Sequence, residues 1–103
     1  MKKQPFLATI RAETVRAREA VALSVYDQES VRVAISMASG EGFNEVCVVS
    51  PRPLDLRATP AAGALVKYLN DCGFRTEWIA RNVDQNGARL TTYDLHVSWQ
   101  VGF

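Results

Sequence analysis

The sequence predicts an α+β fold, a two-layer sandwich in which a three-stranded sheet carries helices on one face. Three observations lead to this prediction. Asn86-Gly87 separates two segments of alternating apolar and polar residues, the strongest local signal for a β-hairpin. Apolar residues in the first forty positions recur at helical spacing. Thr59-Pro60 is a strong helix start between a valine-rich segment and the hairpin. At 103 residues, the chain is expected to form one domain spanning residues 1–103.

The first predicted helix runs from Phe6 to Tyr26, because its apolar residues share one stripe: Phe6, Ile10, Ala17, Val21 and Val25. The polar residues 27–30 interrupt this pattern, and helical spacing then resumes until Gly40 and Gly42 end it. One continuous helix from Phe6 to Ser39 would measure ~50 Å at 1.5 Å per residue, too long for a domain of this size. We therefore expect two helices with a joint near Asp27. In the alternative, a continuous helix, the overhanging part would need a partner.

The first strand is predicted at Val46 to Val49, a β-branched run that is too short for a helix and typical of a buried strand. Pro51 and Pro53 end this strand and keep the following residues extended. The third helix begins at Thr59-Pro60 and closes at Gly73, with Leu65, Leu69 and Cys72 on its inner face.

The hairpin strands are predicted at Phe74 to Asn82 and at Arg89 to Val101. Successive side chains of a strand point to opposite faces of the sheet. The expected inner face of the last strand is Thr91, Tyr93, Leu95, Val97, Trp99 and Val101, and its expected wet face is Thr92, Asp94, His96, Ser98 and Gln100. We expect Trp99 to pack against Leu65 and Leu69. The last strand is the longest, so we place it in the middle: order β1-β3-β2, topology α-α-β-α-β-β.

The wet face of the hairpin is the first candidate interaction surface. It comprises Arg75, Glu77, Ile79, Arg81, Asp94 and His96, and the alternative is an ordinary solvated sheet face. His96, the only histidine, shares this face with Asp94 and Ser98. Residues two apart on a strand lie ~6.6 Å apart and point the same way, so these three cannot form a catalytic triad. We therefore expect His96 to be exposed and unpaired.

No motif indicates an enzyme, a cofactor or a metal site, so we expect none of these. The glycines of residues 39–42 follow a helix, whereas a phosphate-binding loop follows a strand and precedes a helix. They also lack the lysine that accompanies such a loop. The acidic residues are scattered. Two cysteines and one histidine cannot complete an ordinary four-ligand zinc site without carboxylates.

The charge is nearly balanced, with twelve Lys and Arg against eleven Asp and Glu, which argues against a dedicated nucleic-acid binder. The first helix is locally basic nonetheless, through Lys2, Lys3 and the alternative basic face Arg11, Arg16 and Arg18. Weak nucleic-acid binding through that face is therefore the alternative function. Charges interrupt every apolar stretch well before membrane-spanning length, and no signal-peptide pattern is present, so we expect a cytoplasmic protein without membrane contact.

The pattern resembles a group of small uncharacterised α/β proteins encoded by bacteriophages and prophages. The residues that carry the resemblance form a helix ending in small residues and glycine, a valine-rich strand, a Leu-x-x-x-Gly-aromatic helix end and a closing Tyr-x-x-x-Val-Ser-Trp run: residues 34–40, Val46 to Val49, Leu69, Gly73, Phe74, Tyr93, Val97, Ser98 and Trp99. The similarity covers most of residues 7–99. The chain departs from it at residues 51–60 and 100–103. The resemblance implies a phage or prophage origin, and it assigns no functional residue.

These observations together predict a non-enzymatic interaction or accessory protein of phage or prophage origin that forms a homodimer. The first strand lacks the lysines that usually protect an edge, and the first helix carries an apolar stripe that a small sheet cannot fully cover. A symmetric dimer would cover either surface.

Overall fold

The computed structural model describes residues 5–102 and confirms the predicted fold. The elements are α1 at Pro5–Val25, α2 at Gln28–Gly40, β1 at Glu45–Val48, α3 at Pro60–Asp71, β2 at Arg75–Gln85 and β3 at Ala88–Ser98. β3 lies in the middle of the sheet and is antiparallel to both neighbours, so the predicted order β1-β3-β2 is confirmed. The hairpin turn contains Asn86 and Gly87, both at positive φ, which is the backbone that a tight two-residue hairpin turn requires.

The predicted joint between the first two helices is confirmed at Asp27. This residue has an extended backbone, and its carboxylate accepts hydrogen bonds from the Ser30 amide at 2.9 Å and the Ser30 hydroxyl at 2.8 Å. These bonds cap the free amides at the start of α2 and hold the pKa of Asp27 below its usual value. The chain therefore changes direction here, and α1 and α2 are separate helices.

The core lies between the helices and one face of the sheet. Leu95 and Val97 of β3 are fully buried there together with Leu69 of α3, as the alternation along β3 predicts. The remaining buried apolar residues come from all three helices and from the segment before α3: Ala22, Tyr26, Val31, Leu56, Ala62 and Leu65.

Two predictions about the inner face are wrong. β3 ends at Ser98 rather than Val101, and Trp99 is a half-buried residue outside the core cluster instead of packing against Leu65 and Leu69. Its ring meets the edge of Phe74, with centroids 5.8 Å apart and planes at 89°. The Trp99 amide donates to the Asn44 carbonyl at 3.1 Å, which continues the antiparallel register of β1 on β3 by one pair. β1 is likewise only half-buried, because it forms a short edge of the sheet.

The opposite face of β3 is drier than its alternation predicts. Thr92 is fully buried and Asp94 is only 9 % exposed, although both belong to the predicted wet face. The reason is a contact distant in sequence: the Thr92 hydroxyl donates to the Leu54 carbonyl at 3.1 Å, in the segment that connects β1 to α3. Parity along one strand cannot reveal that another segment covers it.

Candidate interaction surfaces

The register of β2 on β3 brings the first candidate surface together. Arg75, Glu77, Ile79 and Arg81 pair with Ser98, His96, Asp94 and Thr92, respectively. Cross-strand partners point to the same face of a sheet. The six predicted residues Arg75, Glu77, Ile79, Arg81, Asp94 and His96 therefore do share one face.

Much of the charge on this sheet face is already paired within the chain. The Arg81 guanidinium donates to both Asp94 oxygens, at 2.9 Å and 3.2 Å, and this hydrogen bonding raises the pKa of Arg81. The Asp94 side chain is only 13 % exposed, so its carboxylate depends on this partner. Among the described residues, Arg75 and Glu77 form no ion pair, and Ile79 is 41 % exposed. Arg81 and Asp94 are therefore already engaged with each other, while Arg75 and Glu77 are the charges of this face that a partner could pair with.

The prediction that His96 is exposed and unpaired is wrong. Its side chain is 21 % exposed, and Nε2 lies 2.6 Å from Oε1 of Glu45. Glu45 pairs with Ser98 in the register of β1 on β3, so the two side chains are diagonal neighbours on the same sheet face. This contact links β1 to β3 through side chains as well as backbone. Sequence alternation places His96 on this face and does not identify its partner, which is 51 residues away.

The neighbouring thiol does not turn this pair into a reactive site. Cys47 lies opposite His96 on β1. Burial and the nearby carboxylates of Asp94 and Glu45 raise the pKa of the Cys47 thiol, which favours the protonated and unreactive form. Within residues 5–102, no three His, Cys, Asp or Glu side chains are grouped closely enough to hold a metal ion.

The alternative basic face on α1 is not one face. Arg11 and Arg18 are seven residues apart and share a side of the helix, while Arg16 lies ~140–160° away from them at 100° per residue. Lys2 and Lys3 lie outside the described residues. Arg18 instead borders an open cavity beside Arg57 and Trp78. The Arg57 guanidinium stacks 3.5 Å above the Tyr93 ring and donates to both carboxylate oxygens of Asp55, so this cation is already neutralised.

The first two-thirds of α1, residues 5–18, form an arm. It projects from the rest of the domain, residues 19–102, which we call the body. Every residue from 5 to 18 is exposed. The helix reaches the body at Arg18, which is exposed but lines a cavity with Arg57 and Trp78, and then packs on it at Glu19, whose carboxylate accepts from the Ala61 amide at 3.4 Å, and at Ala22, which is fully buried. Fourteen helical residues extend ~21 Å. The molecule accordingly measures 66 × 32 × 17 Å with a radius of gyration of 16.6 Å, against about 13 Å for a compact chain of this length.

The arm carries apolar side chains in an ordered pattern. Phe6 is 76 % exposed, and Leu7 and Ile10 are each 39 % exposed. Leu7 and Ile10 begin a stripe in which spacings of three and four residues alternate, and we call it the arm stripe: Leu7, Ile10, Thr14, Ala17 and Val21. Only Val21, at the base, packs against the core. The spacing is visible in the sequence, but only the fold shows that the stripe from Leu7 to Ala17 is exposed.

The comparisons with known proteins leave this surface as the main guide to function. The chain matches no family model, no curated protein and no solved structure. Among the helices of residues 5–102, none combines the length and the apolar character needed to cross a membrane.

Proposed function

We propose that this chain is a small non-enzymatic interaction protein that self-associates, and that the arm of residues 5–18 is its association element. The observation that carries the proposal is the arm stripe, whose members from Leu7 to Ala17 lie on the exposed part of the helix, before it packs against the body. The resemblance to small phage and prophage proteins is consistent with an accessory role of this kind.

The energetics of an isolated helix support the proposal. Helices shorter than about 12–15 residues are marginal in water, because nucleation is costly and most helical stability in proteins comes from packing. The arm has fourteen residues, all of them exposed, and within it the contact with the body is that of Arg18 at its base. Burying a Leu, Ile or Phe side chain contributes roughly 1.5–3 kcal/mol. Covering the arm stripe in an assembly would therefore stabilise the helix and remove apolar surface from water at the same time.

The sheet edges are weaker candidates for self-association. β1 and β2 are the edge strands. β1 is only four residues long, and short edges pair poorly with other chains. β2 is longer, but its open edge carries Arg75, Glu77, Arg81 and Asp84, and charges of this kind discourage strand addition. The arm therefore offers a better surface for self-association than either sheet edge.

Charged substitutions in the arm stripe test the proposal. We expect the double variant Leu7→Glu/Ile10→Glu to behave as a monomer at concentrations where the unmodified protein associates, because two carboxylates per chain would have to be buried. The matched control is Val15→Glu, which changes a residue that is 65 % exposed and lies outside the stripe. Light scattering coupled to size exclusion measures the masses, and thermal unfolding should show an intact body in both variants. Equal masses for the two variants would contradict the assignment of the arm.

Weak nucleic-acid binding is the second candidate function. The observation in its favour is the cavity where Arg18 and Arg57 lie beside the half-buried Trp78, since a cation next to an accessible aromatic ring suits single-stranded nucleic acid. The bidentate pairing of Arg57 with Asp55 weakens this site. Anisotropy of a labelled oligonucleotide would support this function if binding weakened both with salt and in Arg18→Ala.

A further inference from the structure

We propose that the arms of two copies pair in parallel and in register as a short two-stranded coiled coil, with Glu13 of each copy facing Arg18 of the other. This inference rests on the proposed self-association and names its partner and orientation. It follows from the spacing of the arm stripe, from the charges beside it and from the state of its one polar side chain.

The spacing of the arm stripe is that of a coiled-coil seam. Its five members follow each other at intervals of three, four, three and four residues. A seam with this average period of 3.5 residues stays in contact with a partner helix over successive turns. Leu7 and Thr14 then occupy the a positions of the heptad that are open to a partner, and Ile10 and Ala17 occupy the d positions; Val21, the next a position, packs against the core of its own chain.

The charges beside the seam select the orientation. Glu13 precedes Thr14 and takes position g, whereas Arg11 and Arg18 follow Ile10 and Ala17 and take position e. In a parallel pair, position g of one helix faces position e in the next heptad of the partner helix. Glu13 of each copy therefore faces Arg18 of the other, which gives two symmetric contacts. In an antiparallel pair, e faces e and g faces g, which sets arginine against arginine and glutamate against glutamate. Only the parallel pair is complementary.

The polar member of the seam can be buried without an unpaired group. Thr14 is exposed, and its hydroxyl donates to the Ile10 carbonyl of the same helix at 2.8 Å. The hydroxyl therefore already has its partner, and the methyl group remains to contact the second copy. Ala17 on the next turn is small enough to let the two backbones approach closely. The seam available to a second copy ends at Ala17, because Val21 packs against the core of its own chain.

Charge reversal tests the pairing. In a parallel dimer, Glu13→Arg sets two arginines against each other at both symmetric contacts, and Arg18→Glu sets two glutamates against each other. Each variant should therefore dimerise roughly tenfold more weakly than the unmodified protein. An equimolar mixture of the two should recover much of the original affinity as a heterodimer, because both of its contacts again join opposite charges. Arg16→Glu, a charge reversal at an exposed arm residue outside the seam, is the matched control and should leave dimerisation unchanged.

A disulfide trap tests the orientation. In a background with the two exposed cysteines replaced, Cys47→Ser and Cys72→Ser, we introduce Leu7→Cys. A parallel pair in register brings the two introduced thiols together, so mild oxidation should give a covalent dimer. An antiparallel pair would separate them by at least ~15 Å along the helix. Val15→Cys, outside the seam, should not cross-link.

The outcomes separate this inference from the proposed function. If the unmodified protein dimerises but Arg18→Glu dimerises as well or better, and Leu7→Cys does not cross-link, the parallel pairing is wrong and self-association still holds. If the unmodified protein stays monomeric at every concentration, both are wrong. Weakening by each charge reversal, recovery in the mixture and the Leu7→Cys cross-link together support the pairing.

Discussion

Leu95→Ala is expected to lower the free energy of unfolding by about 2–5 kcal/mol, because it removes a fully buried side chain from the central strand and leaves a cavity. Leu95 lies between Val48 of β1 and Trp78 of β2, so both sheet neighbours lose contacts. A small domain has a total stability of only about 5–15 kcal/mol, and the effect should be large in a denaturant titration.

Leu90→Ala is the control for this substitution, since Leu90 is on the same strand but is 37 % exposed. The same chemical change should cost much less there, because the side chain of Leu90 already contacts water in the outer part of the hairpin. Similar losses of stability at the two positions would show that the inner face of β3 has been assigned wrongly.

Leu56→Ala is expected to have a comparable effect, again about 2–5 kcal/mol. Leu56 belongs to the segment between β1 and α3, yet it is only 1 % exposed and lies in the core cluster. Two hydrogen bonds fix the backbone of this segment. The Thr92 hydroxyl donates to the Leu54 carbonyl, and the Thr59 hydroxyl donates to the Leu56 carbonyl at 2.7 Å. The segment is therefore a structural part of the domain.

Val49→Ala provides the comparison within the same segment, because Val49 is 51 % exposed. Chemical denaturation of the two variants should give a large loss for Leu56→Ala and a small one for Val49→Ala. If Leu56→Ala unfolds at the same denaturant concentration as the unmodified protein, the segment does not contribute to the core.

Local signals in the sequence account for the correct parts of the predicted fold. Asp27 caps a helix through its own neighbour Ser30, and Asn86-Gly87 turns the chain by its backbone alone. Gly73, predicted to close α3, has a positive φ of 96° and follows the last turn of that helix. Each of these effects acts within a few residues, so a pattern read along the chain can detect it.

The errors concern contacts between distant segments. Thr92 is covered by the segment around Leu54, and His96 pairs with Glu45, so alternation along β3 alone could not predict either environment. Trp99 fits the alternation, and its amide pairs with Asn44 in continuation of the β1–β3 register, but its ring packs on Phe74 outside the core cluster. For Thr92 and His96, a partner that is distant in sequence decides the burial.

The candidate site was predictable only in part. The six residues of the sheet face do share that face, because hairpin register follows from the turn. The side-chain pairs of Arg81 with Asp94 and of His96 with Glu45 reduce the number of polar groups on this face that are free to bind a partner. These pairs depend on side-chain geometry, which the sequence pattern does not contain. The apolar stripe of the first helix is visible in the sequence. Its exposure depends on where the body ends, which only the fold shows.

Sedimentation equilibrium of the unmodified protein tests the central claim most directly. Over a series from micromolar to millimolar protein, we expect the weight-average mass to rise from 11.4 kDa for one chain toward twice that value. The rise should follow a single monomer–dimer equilibrium, because a symmetric dimer closes on itself. A mass that remains at 11.4 kDa across the whole series would contradict self-association through the arm.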